Sequence, residues 1–298
     1  MKKPWAILYA LLLSIFTVFI LLDTFLIPQV YTTVVSPSAP APGESSAATT
    51  DRPTGSITAH SYQDENISVI ITQYREHDTA IYVADVVISS PTYLKTALAK
   101  GAYGRNVTDK TSQIAEDKQA ILAINGDYYG ARERGYVVRN GVLYRDTASR
   151  DQQALAIFDD GSLQVIAEQE TTTEALLSAG AVQVLSFGPG LVIDGQISVT
   201  ADQEVGKSMA SNPRTAIGII EPLHYVFVVS DGRTSQSKGL SLYQLAAFMQ
   251  SLGVDTAYNL DGGGSSTMVF NGQLINNPTT NGKRVKERSV SDIVYIGY

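Results

Sequence analysis

The 298-residue sequence contains no cysteine, which excludes disulfides, thiolate metal sites and cysteine nucleophiles. Its three histidines, His60, His77 and His224, lie far apart in the chain and do not cluster. Charged residues are few at 17%, and the balance is acidic: 22 Lys and Arg stand against 29 Asp and Glu, a formal charge of −7. Residues 1–56 contribute nothing to that figure, because Lys2, Lys3 and Arg52 cancel Asp23, Glu44 and Asp51. An acidic domain lacks the cationic surface that supplies most nucleic-acid affinity, so nucleic acid is excluded as a partner. No lysine follows the Gly262-Gly263-Gly264 run, which excludes a Walker phosphate loop. The chain also lacks an internal repeat.

One long apolar run is present, Trp5 to Leu22 (WAILYALLLSIFTVFILL), free of charge and extended by Phe25-Leu26-Ile27 after Asp23 and Thr24. About 18–20 apolar residues are enough to cross a bilayer as a helix. Lys2 and Lys3 precede it, so the positive-inside rule leaves residues 1–4 in the cytoplasm and everything beyond the helix outside. A cleaved signal peptide competes with this reading, but its apolar core is usually only ~7–15 residues, and DTFLIPQVY offers no small-x-small cleavage site. The expected organisation is a cytoplasmic N-terminus (1–4), a transmembrane signal anchor (5–27), a linker (28–60) and an extracellular domain (61–298). The linker centres on SPSAPAPGESSAATTDRPTGS, which has no large apolar residue to bury and is expected to be disordered.

Beyond the linker the chain reads as α+β: a mixed, largely antiparallel β-sheet domain rich in hairpins, with a few flanking helices. ISVIITQY and AIYVADVVI are β-branched and aromatic runs. Four segments, 137–144, 156–166, 191–199 and 268–275, place Asn-Gly or Asp-Gly between two strands, which predicts hairpins. Helices are predicted over 91–100 and 241–252. The second has a capping box, Ser241 with Gln244, and Gly253 just past its end.

The chemistry-bearing stretch is Asn259 to Thr267, NLDGGGSST, at the end of the predicted strand VDTAYNL. Three glycines in a row allow successive N–H groups to turn toward one point, a nest that binds an anion. Ser265 adds a donor, and Asp261 puts a carboxylate beside the nest. The alternative is a tight loop in which the glycines only supply positive φ. Other polar groups end strands in the same way: Asn125-Gly126-Asp127, Asp231-Gly232-Arg233 and Asn212-Pro213-Arg214. Taken singly, each reads equally as turn chemistry or solvated charge.

Taken in order, NGDYY, FGPGLVIDG, NPRTAIG, SDGR with GLSLYQLAAFM, NLDGGGSSTMV and ERSVSDIVYIG resemble the phosphodiester glycosidase family, over most of the chain from about residue 90. The resemblance implies an α+β domain and removal of a sugar, N-acetylglucosamine in the characterised case, from a phosphodiester. It implies that Asp261 is the principal catalytic residue, with Asp231 and Asp127 as further candidates. It also implies that Asn125, Arg214, Arg233, Asn259, Gly262, Gly263, Gly264, Ser265 and Arg288 bind substrate. Gln244 stands where relatives often have Glu, and the capping box accounts for it without a catalytic role.

The substrate implied is a sugar-phosphate diester or an anionic cell-surface polymer, and the lipid bilayer is a further partner through the N-terminal helix. No cofactor is required by the sequence, although Asp261, Asp231 or Asp127 with asparagine oxygens would suit a hard divalent cation. Two other functions fit the same residues: a metal-dependent phosphodiesterase cutting the P–O bond, and a non-catalytic protein that binds or assembles exopolysaccharide.

Overall fold

A computed structural model of the chain describes residues 4–31, 53–204 and 211–298. Among them are four α-helices: α1 (Pro4–Phe25), α2 (Thr111–Asp117), α3 (Thr173–Ser178) and α4 (Leu242–Ser251). The rest is dominated by antiparallel strands. One sheet of nine runs in the order Gln196–Ile197, Gly190–Ile193, Thr256–Asn259, Arg214–Glu221, His224–Ser230, Thr79–Ile88, Ile67–Glu76, Ser61–Gln63, Ser56–Ile57. A second, of five, runs Gln273–Leu274, Met268–Phe270, Leu122–Asn125, Asp292–Ile296, Leu94–Leu98. The third, also of five, runs Val142–Arg145, Val137–Arg139, Ala181–Leu185, Gln153–Phe158, Leu163–Ala167.

Strand periodicity decides how these layers meet. Along the nine-stranded sheet, Tyr82, Ala84, Val86, Phe227, Val229 and Ile217 face the main core, where they join Leu122, Ile124 and Val294 of the second sheet and Leu155, Ile157 and Leu185 of the third. The alternate residues Ile81, Val83, Val226, Val228 and Ala216 face the opposite way, onto Leu242, Leu245, Ala246 and Met249 of α4. Both faces of the middle of that sheet are therefore covered, while Ile70 and Val87 toward its far edge stay exposed. The capping box forms as the sequence indicates, with Gln244 N donating to Ser241 Oγ and Ser241 N to Gln244 Oε1.

Three of the four hairpins use two-residue turns in the left-handed region, Asn140-Gly141, Asp194-Gly195 and Asn271-Gly272. The fourth connects Phe158 to Leu163 through four residues, with Phe158 N donating to Ser162 O. The helix expected over 91–100 does not form. Pro91–Tyr93 is one 3₁₀ turn capped by Ser90, and Leu94–Leu98 is a strand paired with Asp292–Ile296. The apolar residues Leu94, Ala97 and Leu98 are all buried, and a place in the second sheet outweighs the local helix preference of ALAK. The short helices α2 and α3 have no counterpart in the sequence reading.

The apolar helix α1 carries a 19-residue window, Ile7–Phe25, of mean hydropathy 2.3, none of it buried. Just beyond it, Gln29–Val30 pairs with Gly104–Arg105, and Asn106 Nδ2 donates to the carbonyls of Thr24 and Ile27. Of the expected linker, residues 32–52 lie outside the described residues; its described ends are paired, Gln29–Val30 as above and Ser56–Ile57 with Ser61–Gln63.

Register places the chemistry. Arg214 is opposite Ser230 and Ala216 opposite Asn259, so three strands of the large sheet end together. In the second sheet Asn125 is opposite Ile293 and Ile124 opposite Met268. The NLDGGGSST segment joins Thr256–Asn259 of the first sheet to Met268–Phe270 of the second. It is the crossing between two sheets. Replacing Ser241 by Ala removes the α4 cap and is expected to cost about 1 kcal/mol in urea unfolding.

Candidate functional site

At this crossing lies a cleft of about 170 Å³, lined by Phe187, Asn212, Arg214, Arg233, Leu260, Asp261, Gly262, Gly263 and Arg288. It is small beside the ~300–1,000 Å³ of a site for a drug-sized molecule and suits one sugar ring or one phosphate group.

Asp261 is only 7% exposed. Its Oδ2 accepts from Arg288 Nη2 at 2.9 Å, and Arg288 Nε donates to Ser265 Oγ at 2.8 Å. Burial pushes the Asp261 carboxyl above the usual carboxylate range, while the Arg288 charge and bonds from Ser265, Arg288 and Gly262 N–H pull it down. The main chain of Asp261 is fixed on both sides: its N–H donates to Gly126 O, and its carbonyl accepts from Asn125 Nδ2 at 2.6 Å.

Three guanidinium groups line the same cleft as this carboxylate, and Arg288 is the one that bonds it. Arg214 is buried, donating from Nε to Leu240 O and from Nη2 to Glu204 Oε2 at 2.6 Å. Arg233 donates from Nε and Nη2 to Asn212 Oδ1 and from Nη1 to Thr280 O. Its backbone is left-handed at φ +64°, a conformation unfavourable for a side chain of this size, and it turns the guanidinium toward the cleft. Burial lowers the Arg233 pKa, and the charges of Arg288 and Arg214 lower it further, with Asp261 opposing. Arg288 keeps 39% of its side chain exposed, against 4% for Arg214, and so remains open to a ligand while holding Asp261.

Part of the amide nest expected from the triple glycine is already used inside the protein. Gly263 N donates to Pro213 O, Ser265 N to Gly262 O and Ser266 N to Gly263 O, so these donors are spent inside the protein. The glycines also serve sterically. Gly263 sits at φ +63°, where a Cβ would meet Arg233 Nη2 at 2.8 Å, and a Cβ on Gly264 would meet Thr280 Oγ1 at 2.4 Å. The cleft also exposes the guanidinium groups of Arg214, Arg233 and Arg288 as donors for an anion.

Several candidates lie behind the cleft rather than in it. Asp127, expected as a catalytic acid, is buried and held by Arg139 Nη2 at 2.8 Å, by Ser186 N and by Tyr129 N. Arg139, 2% exposed, also donates from Nε to Asp292 Oδ2 at 2.8 Å. Burial raises the Asp292 carboxyl well above the ordinary range and the Arg139 charge opposes it, with the Asp127 and Asp261 charges adding to the rise. Asp231, the other expected acid, accepts from Asn277 N, Asn277 Nδ2, Asn276 Nδ2 and Tyr82 OH. It fastens the 276–277 segment, and Asn276 in turn bonds Met268 N and Ser266 O at the end of the glycine loop. Asn125 is fully engaged, accepting from Thr215 Oγ1 and Thr267 N besides its bond to Asp261. Asn259 donates to Gly188 O, and its buried Oδ1 has no protein partner.

Among the described residues no group of three or more His, Asp or Glu side chains is placed to hold a metal ion. Reading the sequence missed Phe187 and Asn212 as cleft residues, although both stand in the quoted motifs. It also missed Arg139 and Asp292, which pair across 153 residues, and Glu204, which bonds Arg214 ten residues on.

The sequence profile described as phosphodiester glycosidase matches residues 118–297. The chain is 32% identical over 208 residues to the SPbeta prophage-derived protein YomE of Bacillus subtilis, covering 66% of this chain and 31% of that protein. It is 30% identical over 156 residues to the mouse N-acetylglucosamine-1-phosphodiester alpha-N-acetylglucosaminidase, covering 49% of this chain and 30% of the enzyme. For the human enzyme the figures are 25% over 231 residues, 72% and 44%. The matched region thus spans less than half of each of these relatives. The catalytic domain of the zebrafish enzyme, solved in a form auto-inhibited by its pro-peptide, superposes with a TM-score of 0.61 at 21% identity, covering 78% of this chain and 83% of that one. A hypothetical protein from Synechocystis superposes at 0.62 with 17% identity, covering 83% and 64%. These two structures share the fold.

Removing one partner of a buried ion cluster costs about 3–5 kcal/mol, so Asp127→Ala is expected to lower urea-unfolding stability by about that much. Asp261→Asn acts in the opposite sense. A carboxyl with a raised folded pKa gives stability that is present below its unfolded pKa and lost as pH rises through the folded one. At pH 7 the amide is therefore expected to be as stable as wild type or more so, in the same measurement.

Proposed function

This chain belongs to the phosphodiester glycosidase family, and from that premise we propose that it hydrolyses sugar-1-phosphodiester bonds, N-acetylglucosamine phosphodiesters among them. The setting we propose is cell-surface polysaccharide or wall polymer, outside a membrane in which the N-terminal helix is anchored. The observation that carries the reading is one buried carboxylate, Asp261, sharing a small cleft with Arg214, Arg233 and Arg288.

Breaking the sugar–oxygen bond builds positive charge at the anomeric carbon and negative charge on the departing phosphate. Asp261 answers the first as nucleophile, base or electrostatic partner. The guanidinium groups answer the second, being fixed by Leu240 O, Glu204, Asn212 and Thr280 O before substrate arrives. A phosphate monoester is already a stable anion, so the leaving group asks little of a general acid. Asp127 and Asp231 act as positioning residues, the one through Arg139 and the other through Asn276 and Asn277.

Anchoring is supported by the apolar helix, charge-free from Trp5 to Leu22, with Lys2 and Lys3 before it. The strand at Gln29–Val30 and the bonds from Asn106 tie the domain directly to the end of that helix, which would hold the cleft near the bilayer.

Asp261→Asn is expected to lower kcat on an N-acetylglucosamine phosphodiester by at least ~100-fold, and full activity would refute the assignment. In heavy-oxygen water the label is expected in the released sugar; label in phosphate would mean P–O cleavage. The ionised form of Asp261 is the active one, so kcat/KM is expected to fall as pH drops through a value above 3.8, the ordinary aspartate figure. Arg288→Gln removes a charge that lowers this pKa, and its acid limb is expected to move to higher pH.

A further inference from the structure

We propose that the loop 281–288 is a subsite for a polyanion, so that the substrate carries further negative charges beyond the scissile phosphodiester. The inference rests on the glycosidase reading for its place in catalysis, but the binding it describes does not depend on turnover.

The loop sequence is NGKRVKER, with Lys283, Arg284, Lys286 and Arg288 against a single acid, Glu287. That acid is withdrawn. Glu287 is buried, with its two carboxylate oxygens accepting from Ser112 N at 2.9 Å and Ser112 Oγ at 2.6 Å. Lys283, Arg284 and Lys286 are exposed, so the charge the loop presents to solvent is positive throughout. On a chain of net charge −7 such a concentration is not the average surface.

Its position gives the charge a purpose. Both ends of the loop are fastened to the cleft. At the start, Thr280 O accepts from Arg233 Nη1; at the end, Arg288 N donates to Gly264 O while its side chain holds Asp261. Between these anchors lies an open hollow of about 640 Å³ lined by Lys283, Arg284, Lys286 and Arg288 among others, and Arg288 belongs to both this hollow and the cleft. A chain leaving the cleft past Arg288 would run over the three exposed cations. The cleft alone holds one ring or one phosphate, so specificity for a polymer has to come from outside it. An acidic domain repels a polyanion at long range, and at ordinary ionic strength that field is screened beyond ~8–10 Å, leaving the local cations to act. A bilayer of anionic lipid would also attract these residues, but attachment of the loop at both ends to cleft residues favours a ligand continuous with the substrate.

The test uses the full chain in phosphatidylcholine nanodiscs, with labelled inorganic polyphosphate and N-acetylglucosamine 1-phosphate as probes. Wild type is expected to bind polyphosphate more tightly than the monophosphate. Combined Lys283→Gln, Arg284→Gln and Lys286→Gln is expected to weaken polyphosphate about tenfold, as three exposed ion pairs would, and to leave the monophosphate within about twofold. Asp261→Asn, which frees Arg288 from its carboxylate, is expected to bind polyphosphate at least as tightly as wild type; if that variant still hydrolysed diesters, the glycosidase reading would fail while the polyanion result stood. The proposal is overturned if wild type does not prefer polyphosphate, or if the triple variant binds it as well as wild type. Protection of the 281–288 amides from hydrogen exchange by phosphatidylglycerol discs, and not by polyphosphate, would make the loop a lipid contact and overturn it too.

Discussion

The contact between Asp261 and Arg288 is what the site depends on. A carboxylate buried where the chain crosses from one sheet to another would, unpaired, give up its charge to burial. Arg288 opposes that loss from the strand-side loop at the far end of the sequence, and through Ser265 and the carbonyl of Gly262 it ties the same loop down. One guanidinium therefore opposes the acid's loss of charge, orders the glycine turn and remains partly exposed for a ligand.

Around that pair the fold spends its buried polar groups on position. Asn125 fixes the Asp261 carbonyl, Asp231 secures the segment that follows the glycine loop, and the Asp127–Arg139–Asp292 cluster braces the strand ends behind it. None of these lines the cleft. The glycines contribute absence of bulk, letting Arg233 and Thr280 approach the loop. The result is a carboxylate facing a cluster of cations on a domain that is otherwise acidic. That contrast is why binding must be local, and why the basic loop beside the cleft bears on what the substrate is.

Local signals in the sequence were reliable where local physics decides. The Asn-Gly and Asp-Gly turns, the α4 capping box and the charge-free N-terminal run each specify their element through neighbouring residues, and the antiparallel, hairpin-rich architecture follows from them. The segment 91–100 shows the limit. Its helix preference is weaker than a place beside Asp292–Ile296, a partner almost 200 residues away. The candidate site divides in the same way. Asp261, Arg214, Arg233 and Arg288 could be named because strand ends and motif order mark them. Whether Asp127 faced a ligand or an arginine could not, since Arg139 sits in an ordinary hairpin strand until register turns it inward. The glycine loop shows the same limit: three glycines permit convergent amides, but only the tertiary contact with Pro213 determines where Gly263 N points.

The most direct test of the central claim is a crystal structure of the Asp261→Asn variant with an N-acetylglucosamine phosphodiester bound. The account predicts phosphate oxygens on the guanidinium groups of Arg214, Arg233 and Arg288, with the anomeric carbon turned to residue 261. Phosphate bound away from these arginines, or a sugar whose anomeric carbon faces away from residue 261, would contradict it.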